Sequence, residues 1–278
     1  MSSTNKKFAF VWFTYAMDHP ILLRSVKSVA SFFPGQKMYI VDDVSGGMAL
    51  PKRVIAALSR MGCVFVPTSV PRRGNLRGWA CAKVIASTYK WIMDTEDVDI
   101  IVKVDSDALM LNPKWIVDFA EDETYRYGGM RSKCHRSVCG PTYALKWDAV
   151  EHLWESYKYD MESPYHTEED FEMASRLCRA YKNDSSKILK VPYSFNGLHP
   201  EFADAEAGMF VFSQNATKFY DIIAKNWQEV VLGYPVRQYT GNDQEERTKV
   251  IMANNFVKAA VMKHLFKRVH PEPLTSKE

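Results

Sequence analysis

Residues 100–107 constrain the fold of this 278-residue chain more than any other segment. A run rich in β-branched residues at 100–104 ends in Asp105-Ser106-Asp107. Such a run predicts a strand that is buried on both faces, as in a parallel sheet. Because side chains alternate along a strand, we expect Asp105 and Asp107 on the same side of it. Carboxylates at the carboxyl end of a buried parallel strand lie where open α/β sheets bind ligands.

Paired carboxylates suit a hard divalent cation such as Mg²⁺, which usually shares them with a substrate diphosphate. Asp-x-Asp is also a frequent tripeptide that marks a solvated turn after a strand, so its structural context decides between the two interpretations. Here a helical pattern at 78–93 precedes the strand, and an extended apolar exit at 109–113 follows it. This context favours a site for a metal ion at Asp105 and Asp107.

The rest of the chain predicts an α/β fold. The segments are strands at 8–14, 38–41, 63–66 and 100–104, and helices at 20–33, 51–61 and 78–93. This alternation predicts a mostly parallel, Rossmann-like sheet flanked by helices and joined by right-handed crossovers. The second half is more mixed, with a mobile Gly- and Arg-rich loop at 125–139, helices at 147–157 and 167–181, strands at 187–191 and 208–212, and a basic amphipathic helix at 245–269.

Domain organisation and location follow from length and composition. We predict one catalytic domain over 1–244, with a donor half at 1–112 and an acceptor half at 113–244, followed by a basic helix and tail at 245–278. The apolar run at 8–13 is too short for a signal peptide or a transmembrane segment. Five cysteines without regular spacing favour reduced thiols and a cytoplasmic protein. The net charge of +3 is too small to identify a polyanionic partner.

Several short motifs follow one another in a recognisable order. They are Val41-Asp42-Asp43-Val44-Ser45, Arg73-Gly74-Asn75 through Ala82-Lys83, Asp105-Ser106-Asp107, Glu169-Asp170 followed by Arg176-Leu177, and Lys190-Val191-Pro192 followed by His199. This order resembles the GT-A fold nucleotide-sugar-dependent glycosyltransferases, in particular their large inverting family, over residues 8–199. The resemblance implies a GT-A-like fold and transfer of a sugar from a nucleoside-diphosphate sugar to an acceptor hydroxyl, with Mn²⁺ or Mg²⁺ as the metal.

The resemblance also implies roles for donor-binding residues. The donor-binding residues would be Thr14, Asp42, Asp43, Arg73, Lys83 and Asp105. Asp42 and Asp43 would hold the nucleoside, although either carboxylate is also suited to cap the next turn. The first strand ends in Thr14 without a Gly-x-Gly fingerprint, which argues against a dehydrogenase. His199 would be a third metal ligand beside Asp105 and Asp107, or else a turn histidine before Pro200.

The acidic run at 168–170 supplies the predicted catalytic group. Asp170 is the expected general base for the acceptor hydroxyl, and Glu169 is the alternative because three acidic residues stand where the family has two. Thr167-x-x-Asp170 is equally a helix capping box, and a carboxylate there is stabilised by the helix dipole whatever its function. Capping and catalysis are compatible, which favours Asp170 as the base.

The acceptor is the least constrained part of the hypothesis. Arg131, Lys133 and Arg136 form a basic cluster that is expected to border the acceptor, which would be a carbohydrate or a hydroxymethylated DNA base; basic loops are also commonly just solvated. The segment 206–212 with Asn242-Asp243-Gln244 resembles retaining GT-A enzymes instead, which leaves the stereochemistry open. A non-catalytic nucleotide-sugar or carbohydrate-binding module and a nucleotidyltransferase are the alternative functions.

Overall fold

The structure is a computed structural model that describes residues 5–15, 19–44, 49–68, 79–106, 108–110, 113–131, 138–158, 169–191, 194–195 and 209–211. The helices in these ranges are α1 (His19–Phe32), α2 (Lys52–Arg60), α3 (Trp79–Thr95), α4 (Lys114–Glu121), α5 (Trp147–Lys158) and α6 (Glu169–Ala180). The strands are β1 (Phe8–Tyr15), β2 (Lys37–Asp43), β3 (Val64–Thr68), β4 (Ile100–Val104), β5 (Ala108–Met110), β6 (Tyr127–Arg131), β7 (Val138–Lys146), β8 (Ile188–Val191), β9 (Ser194–Phe195) and β10 (Met209–Val211).

Seven of the described strands form one sheet, in the order β3-β2-β1-β4-β7-β6-β8. The strands β3, β2, β1 and β4 are parallel to one another, and β6 and β8 are parallel as well. Within this sheet β7 runs antiparallel to both of its neighbours, β4 and β6. The predicted mostly parallel sheet flanked by helices is confirmed. A smaller sheet joins β5, β10 and β9, in which β10 is antiparallel to β5 and parallel to β9.

The central strand β1 shows why the sheet strands are almost continuously apolar. Phe8, Phe10 and Trp12 pack on one face of the sheet, with the apolar sides of α1, α2 and α4. The residues between them face the other side, where α3, α5 and α6 cover the sheet. A strand covered on both faces needs apolar side chains at every position. Each fully buried large side chain contributes about 1.5–3 kcal/mol relative to an exposed one.

The segment at 125–139 was predicted to be a mobile loop, and this prediction is wrong for its described part. Strand β6 covers Tyr127–Arg131 in the interior of the sheet, and β7 begins at Val138. The glycines that suggested a loop serve close packing instead. A Cβ atom on Gly129 would lie 2.7 Å from the Cβ of Tyr143, so only glycine fits this pairing.

The ends of the other predicted elements lie within a few residues of those in the structure. Helix α4 was not predicted, although Pro113 and the buried Trp115, Ile116 and Phe119 give it a start signal and an apolar side. The predicted helix at 245–269 lies outside the described residues.

Candidate functional site

The carboxyl ends of the parallel strands define one edge of the large sheet. Strands β1 and β4 are neighbours in the sheet, while β2 and β3 extend from the other side of β1. The strand order therefore reverses between β1 and β4, and open α/β sheets bind ligands in the crevice at such a switch point. Thr14 and Asp42 are paired in register at this edge, and Asp105 directly follows β4.

Asp42 and Asp43 end β2, and both side chains are buried. Asp42 Oδ2 accepts a hydrogen bond from the backbone N–H of Leu50 at 3.2 Å, which closes the connection between β2 and α2. Because side chains alternate along β2, Asp42 continues the face that α1 and α2 cover, and Asp43 continues the face that α3 covers. Asp42 therefore has a structural role in this connection, and Asp43 lies on the same face as Lys103.

Asp105 lies in a turn rather than on the strand. Strand β4 ends at Val104, and the backbone N–H of Ala108 donates to the carbonyl oxygen of Asp105 at 3.0 Å. Asp105 therefore lies just beyond the end of the extended backbone, and Asp107, which was expected on the same side, lies outside the described residues. The Asp105 carboxylate is 35% exposed, and its Oδ1 forms an ion pair with Lys103 Nζ at 2.5 Å.

Helix α1 holds the backbone of the segment that follows β4. The hydroxyl of Ser25 donates to the carbonyl oxygen of Asp105 at 3.1 Å and accepts from the indole N–H of Trp12 at 2.8 Å. The backbone N–H of Met110 donates to Ser28 Oγ at 3.0 Å. Both ends of the segment 105–110 are therefore fixed to α1, and the position of the Asp105 carboxylate follows from these bonds.

Helix α6 begins at Glu169 and Asp170. The Tyr143 hydroxyl donates to Met173 Sδ at 3.6 Å, which places the second turn of α6 beside β7. Tyr143 pairs in register with Lys103 of β4, one residue before that strand ends. The backbone of Glu169 and Asp170 therefore begins a helix close to the end of β4 that carries Asp105.

Two of the predicted basic residues lie in the described part of the chain. Lys83 lies in the second turn of α3 and is partly buried. Arg131 ends β6, which is parallel to β8 and oriented like β4, so its backbone reaches the same edge of the sheet. The other predicted site residues, Arg73, Asp107, Lys133, Arg136 and His199, lie outside the described residues.

The chemistry of the described edge fits a hard divalent cation. Asp105 offers a partly exposed carboxylate that is fixed by the bonds just described, and oxygen ligands of this kind suit Mg²⁺ and Mn²⁺. Within the described ranges, no three His, Cys, Asp or Glu residues come together as a complete set of ligands. Asp107 and His199, the other predicted ligands, fall in the gaps between those ranges.

Sequence analysis missed the residues that support Asp105. Lys103 was included in an apolar run, although a lysine between four aliphatic residues was visible as an exception. Ser25 and Ser28 were overlooked because hydroxyls on a helix give no signal for a partner about 80 positions away in the chain.

Comparisons with known proteins return similarities of structure only. No protein-family model and no curated protein sequence matches this chain. The chain is similar to a mannosyltransferase from Pyrobaculum calidifontis solved with GDP-mannose and Mn²⁺, with 12% identity, 96% of this chain and 74% of that chain covered, and a TM-score of 0.48. It is also similar to a galactosyltransferase solved with donor and acceptor sugar analogues, with 14% identity, coverage of 87% and 99%, and a TM-score of 0.44.

A third similar structure is a glycosyltransferase involved in the glycosylation of the major capsid of the virus PBCV-1, with 11% identity, coverage of 76% and 97%, and a TM-score of 0.46. These three solved structures are all glycosyltransferases. Within the described ranges, no helix is both long and apolar enough to cross a membrane.

Proposed function

We propose that this protein is a metal-dependent glycosyltransferase that moves a sugar from a nucleoside-diphosphate sugar to an acceptor hydroxyl. The observation that supports this proposal best is the position of Asp105. Its carboxylate follows a buried parallel strand at the switch point of the sheet, is fixed through Ser25 and Lys103, and remains partly exposed. Asp43 ends the second strand on the same face, where a nucleoside would lie.

Different residues of the chain bind the nucleoside, the diphosphate and the metal ion of the donor complex. Thr14, Asp42 and Asp43 bind the nucleoside, with Asp43 nearer the ligand because Asp42 already closes the connection to α2. The cationic side chains of Arg73 and Lys83 bind the diphosphate. Asp105, Asp107 and His199 would hold Mn²⁺ or Mg²⁺, and a bound metal ion neutralises the charge that develops on a leaving diphosphate.

Asp170 acts on the acceptor. The acceptor oxygen attacks the anomeric carbon while its proton passes to the Asp170 carboxylate, and the bond from that carbon to the diphosphate oxygen breaks with its electron pair on the diphosphate. One such displacement inverts the configuration of the sugar. A positioned base contributes roughly 10²- to 10⁴-fold to the rate. Glu169 takes this role if the register of the acidic run is shifted by one residue.

In this proposed enzyme, residues 1–244 form one catalytic domain and residues 245–278 form a basic helix and tail. Arg131, Lys133 and Arg136 border the acceptor, for which a carbohydrate and a hydroxymethylated DNA base are the two candidates. A nucleic-acid acceptor predicts that log affinity falls with log salt by roughly 0.9 per phosphate contact on duplex DNA. Neutralising these three cations together would then flatten that slope and leave donor hydrolysis unchanged. A slope near zero in the unmutated protein would exclude DNA.

A ligand screen followed by a turnover assay tests the activity. Nucleotide sugars with different bases and sugars are added with and without Mn²⁺, and a donor that binds the folded state raises the melting temperature. The donor that binds is then incubated with the protein and a panel of acceptors. Release of the nucleoside diphosphate with Mn²⁺ or Mg²⁺ supports the proposal, whereas pyrophosphate would indicate a nucleotidyltransferase, and binding without release would indicate a binding module.

Matched variants connect the activity to the site. Asp107→Asn preserves the shape of the side chain but removes a charged ligand, so turnover should fall at least 10²-fold while the melting temperature is retained. Asp97→Asn changes an exposed carboxylate that pairs with Lys7 before the amino ends of β1 and β4, at the edge of the sheet opposite the candidate site, and it should behave like the unmutated protein. Near-normal turnover of Asp107→Asn at saturating donor would contradict the metal role of Asp107.

A further inference from the structure

Lys103 is a charged residue in a strand whose other positions are apolar and buried. It is 1% exposed and lies in β4 between Val102 and Val104. Its register partners are Val11 on β1 and Tyr143 on β7. A lysine in such surroundings is uncommon, because removing its ammonium group from water is unfavourable unless the charge is paired.

The surroundings of Lys103 hold its side chain in one place. Its ammonium group lies 5.5 Å from the centre of the Tyr143 ring, which favours a cation over the ring face. The Tyr143 hydroxyl is itself hydrogen-bonded to the Tyr89 hydroxyl at 2.8 Å and contacts Met173 of α6. The ring beneath the ammonium group is therefore anchored to α3 and α6, the two helices that begin near the ligand-binding edge.

The charge of Lys103 is directed at Asp105. The ion pair joins Nζ to Oδ1 across two positions of the chain, from the last buried part of β4 to the turn after it. An ion pair of this kind is rarely needed for stability, since apolar residues of similar volume are often as good or better in its place. The geometry therefore indicates a role for the lysine in orienting the carboxylate.

We propose that Lys103 is a positioning residue that holds one oxygen of Asp105 and thereby presents the other part of the carboxylate to the metal and diphosphate. This inference rests on the proposed function. Groups that hold a ligating carboxylate typically change metal affinity by about 10- to 100-fold when they are removed. The effect should appear in metal-dependent nucleotide binding and not in the stability of the fold.

The test compares two buried lysines. Lys146 is also buried, lies 5.4 Å from the centre of the Phe119 ring and pairs with Glu123 at 3.5 Å. It lies at the opposite end of the same strand pair, where it is in register with Ile100. Lys103→Met and Lys146→Met therefore remove equivalent charges at the two ends of β4. Calorimetry measures the binding of UDP and of GDP with and without Mn²⁺, and electron paramagnetic resonance measures free Mn²⁺.

Lys103→Met is expected to weaken Mn²⁺-dependent nucleotide binding by 10- to 100-fold and to leave more Mn²⁺ free. Lys146→Met should stay within twofold of the unmutated protein. If Lys103 acts through Asp105, the double variant Lys103→Met/Asp105→Asn should bind no more weakly than Asp105→Asn alone. Lys103→Gln keeps a hydrogen-bond donor and should therefore lose less affinity than Lys103→Met. If Lys103→Met does not unfold cooperatively, Lys103→Gln is used in its place.

The other results separate the two proposals. Unchanged Mn²⁺-dependent binding in Lys103→Met and Lys103→Gln would overturn the role of Lys103 and leave the glycosyltransferase proposal standing. Equal losses of melting temperature and affinity in Lys103→Met and Lys146→Met would show a purely structural lysine and would also overturn it. An unmutated protein that binds neither nucleotides nor nucleotide sugars with Mn²⁺ would overturn both.

Discussion

Ser25→Ala removes the hydroxyl that links the core of the protein to the candidate site. In the folded protein this hydroxyl accepts from the Trp12 indole at 2.8 Å and donates to the Asp105 carbonyl at 3.1 Å. Trp12 is fully buried, so its N–H would lose this acceptor in a place that water does not reach. A buried donor without a partner costs about 1–3 kcal/mol, and the second bond adds about 0.5–1.5 kcal/mol.

Part of that cost is offset because alanine favours the helix by a few tenths of a kcal/mol over serine. We therefore expect Ser25→Ala to lower the free energy of unfolding by about 2–3 kcal/mol. Ser31→Ala is the matched control on the same helix, because the hydroxyl of Ser31 is exposed and donates only to the carbonyl of Ser28 in the preceding turn. Its effect should stay within about 0.5 kcal/mol.

Urea unfolding of the two variants, followed by circular dichroism, measures the difference. Mn²⁺-dependent nucleotide binding is recorded on the same samples, since the carbonyl oxygen of Asp105 loses the bond from Ser25 and keeps the one from the backbone N–H of Ala108. Equal unfolding midpoints for Ser25→Ala and the unmutated protein would refute the bond between Trp12, Ser25 and Asp105. A loss of stability with unchanged nucleotide binding would show that the hydrogen bonds other than that of Ser25 are sufficient to hold the Asp105 turn in place.

Three further predictions concern other parts of the molecule. Gly129→Ala should lower the free energy of unfolding, measured with urea, by at least about 1–3 kcal/mol, because the added Cβ would collide with the backbone of β7. Burial raises the pKa of Cys63 to about 12, so its thiol should resist iodoacetamide at pH 8 until the protein is unfolded, as mass spectrometry of the labelled peptides would show. Asp170→Asn should abolish sugar transfer yet retain nucleotide binding in calorimetry, whereas lost binding would indicate a cap or a donor ligand.

The first half of the fold was predictable because each element there has a strong local signal. The apolar run of β1 and the helical period of α1 need no knowledge of the rest of the chain. Strand β6 was not predictable in the same way, since Gly128 and Gly129 are explained only by the strands beside them. A glycine required by a neighbour looks the same in a sequence as one required by a turn.

The candidate site was predictable in its residue types and less so in its geometry. The strand β4 ends at Val104, as predicted, but Asp105 already belongs to the turn that follows, which the alternation of side chains along a strand does not describe. The contrast between Asp42 and Asp43 depends on which helices cover each face of β2, which the order of strands in the sheet determines. The nearness of α6 to β4 likewise depends on the antiparallel β7 between them.

The bonds from α1 to the segment after β4 also affect the order in which the protein gains its function during folding. Ser25 and Asp105 are 80 positions apart in the chain, and Ser28 and Met110 are 82 positions apart. Contacts of such high sequence separation form late, because the chain between them must first be ordered. An intermediate that contains only β1 to β3 and their helices would have Asp42 and Asp43, the carboxylates proposed to bind the nucleoside, but not the Asp105 turn. Metal-dependent nucleotide binding would therefore report completed folding, and not merely the formation of the first half of the sheet.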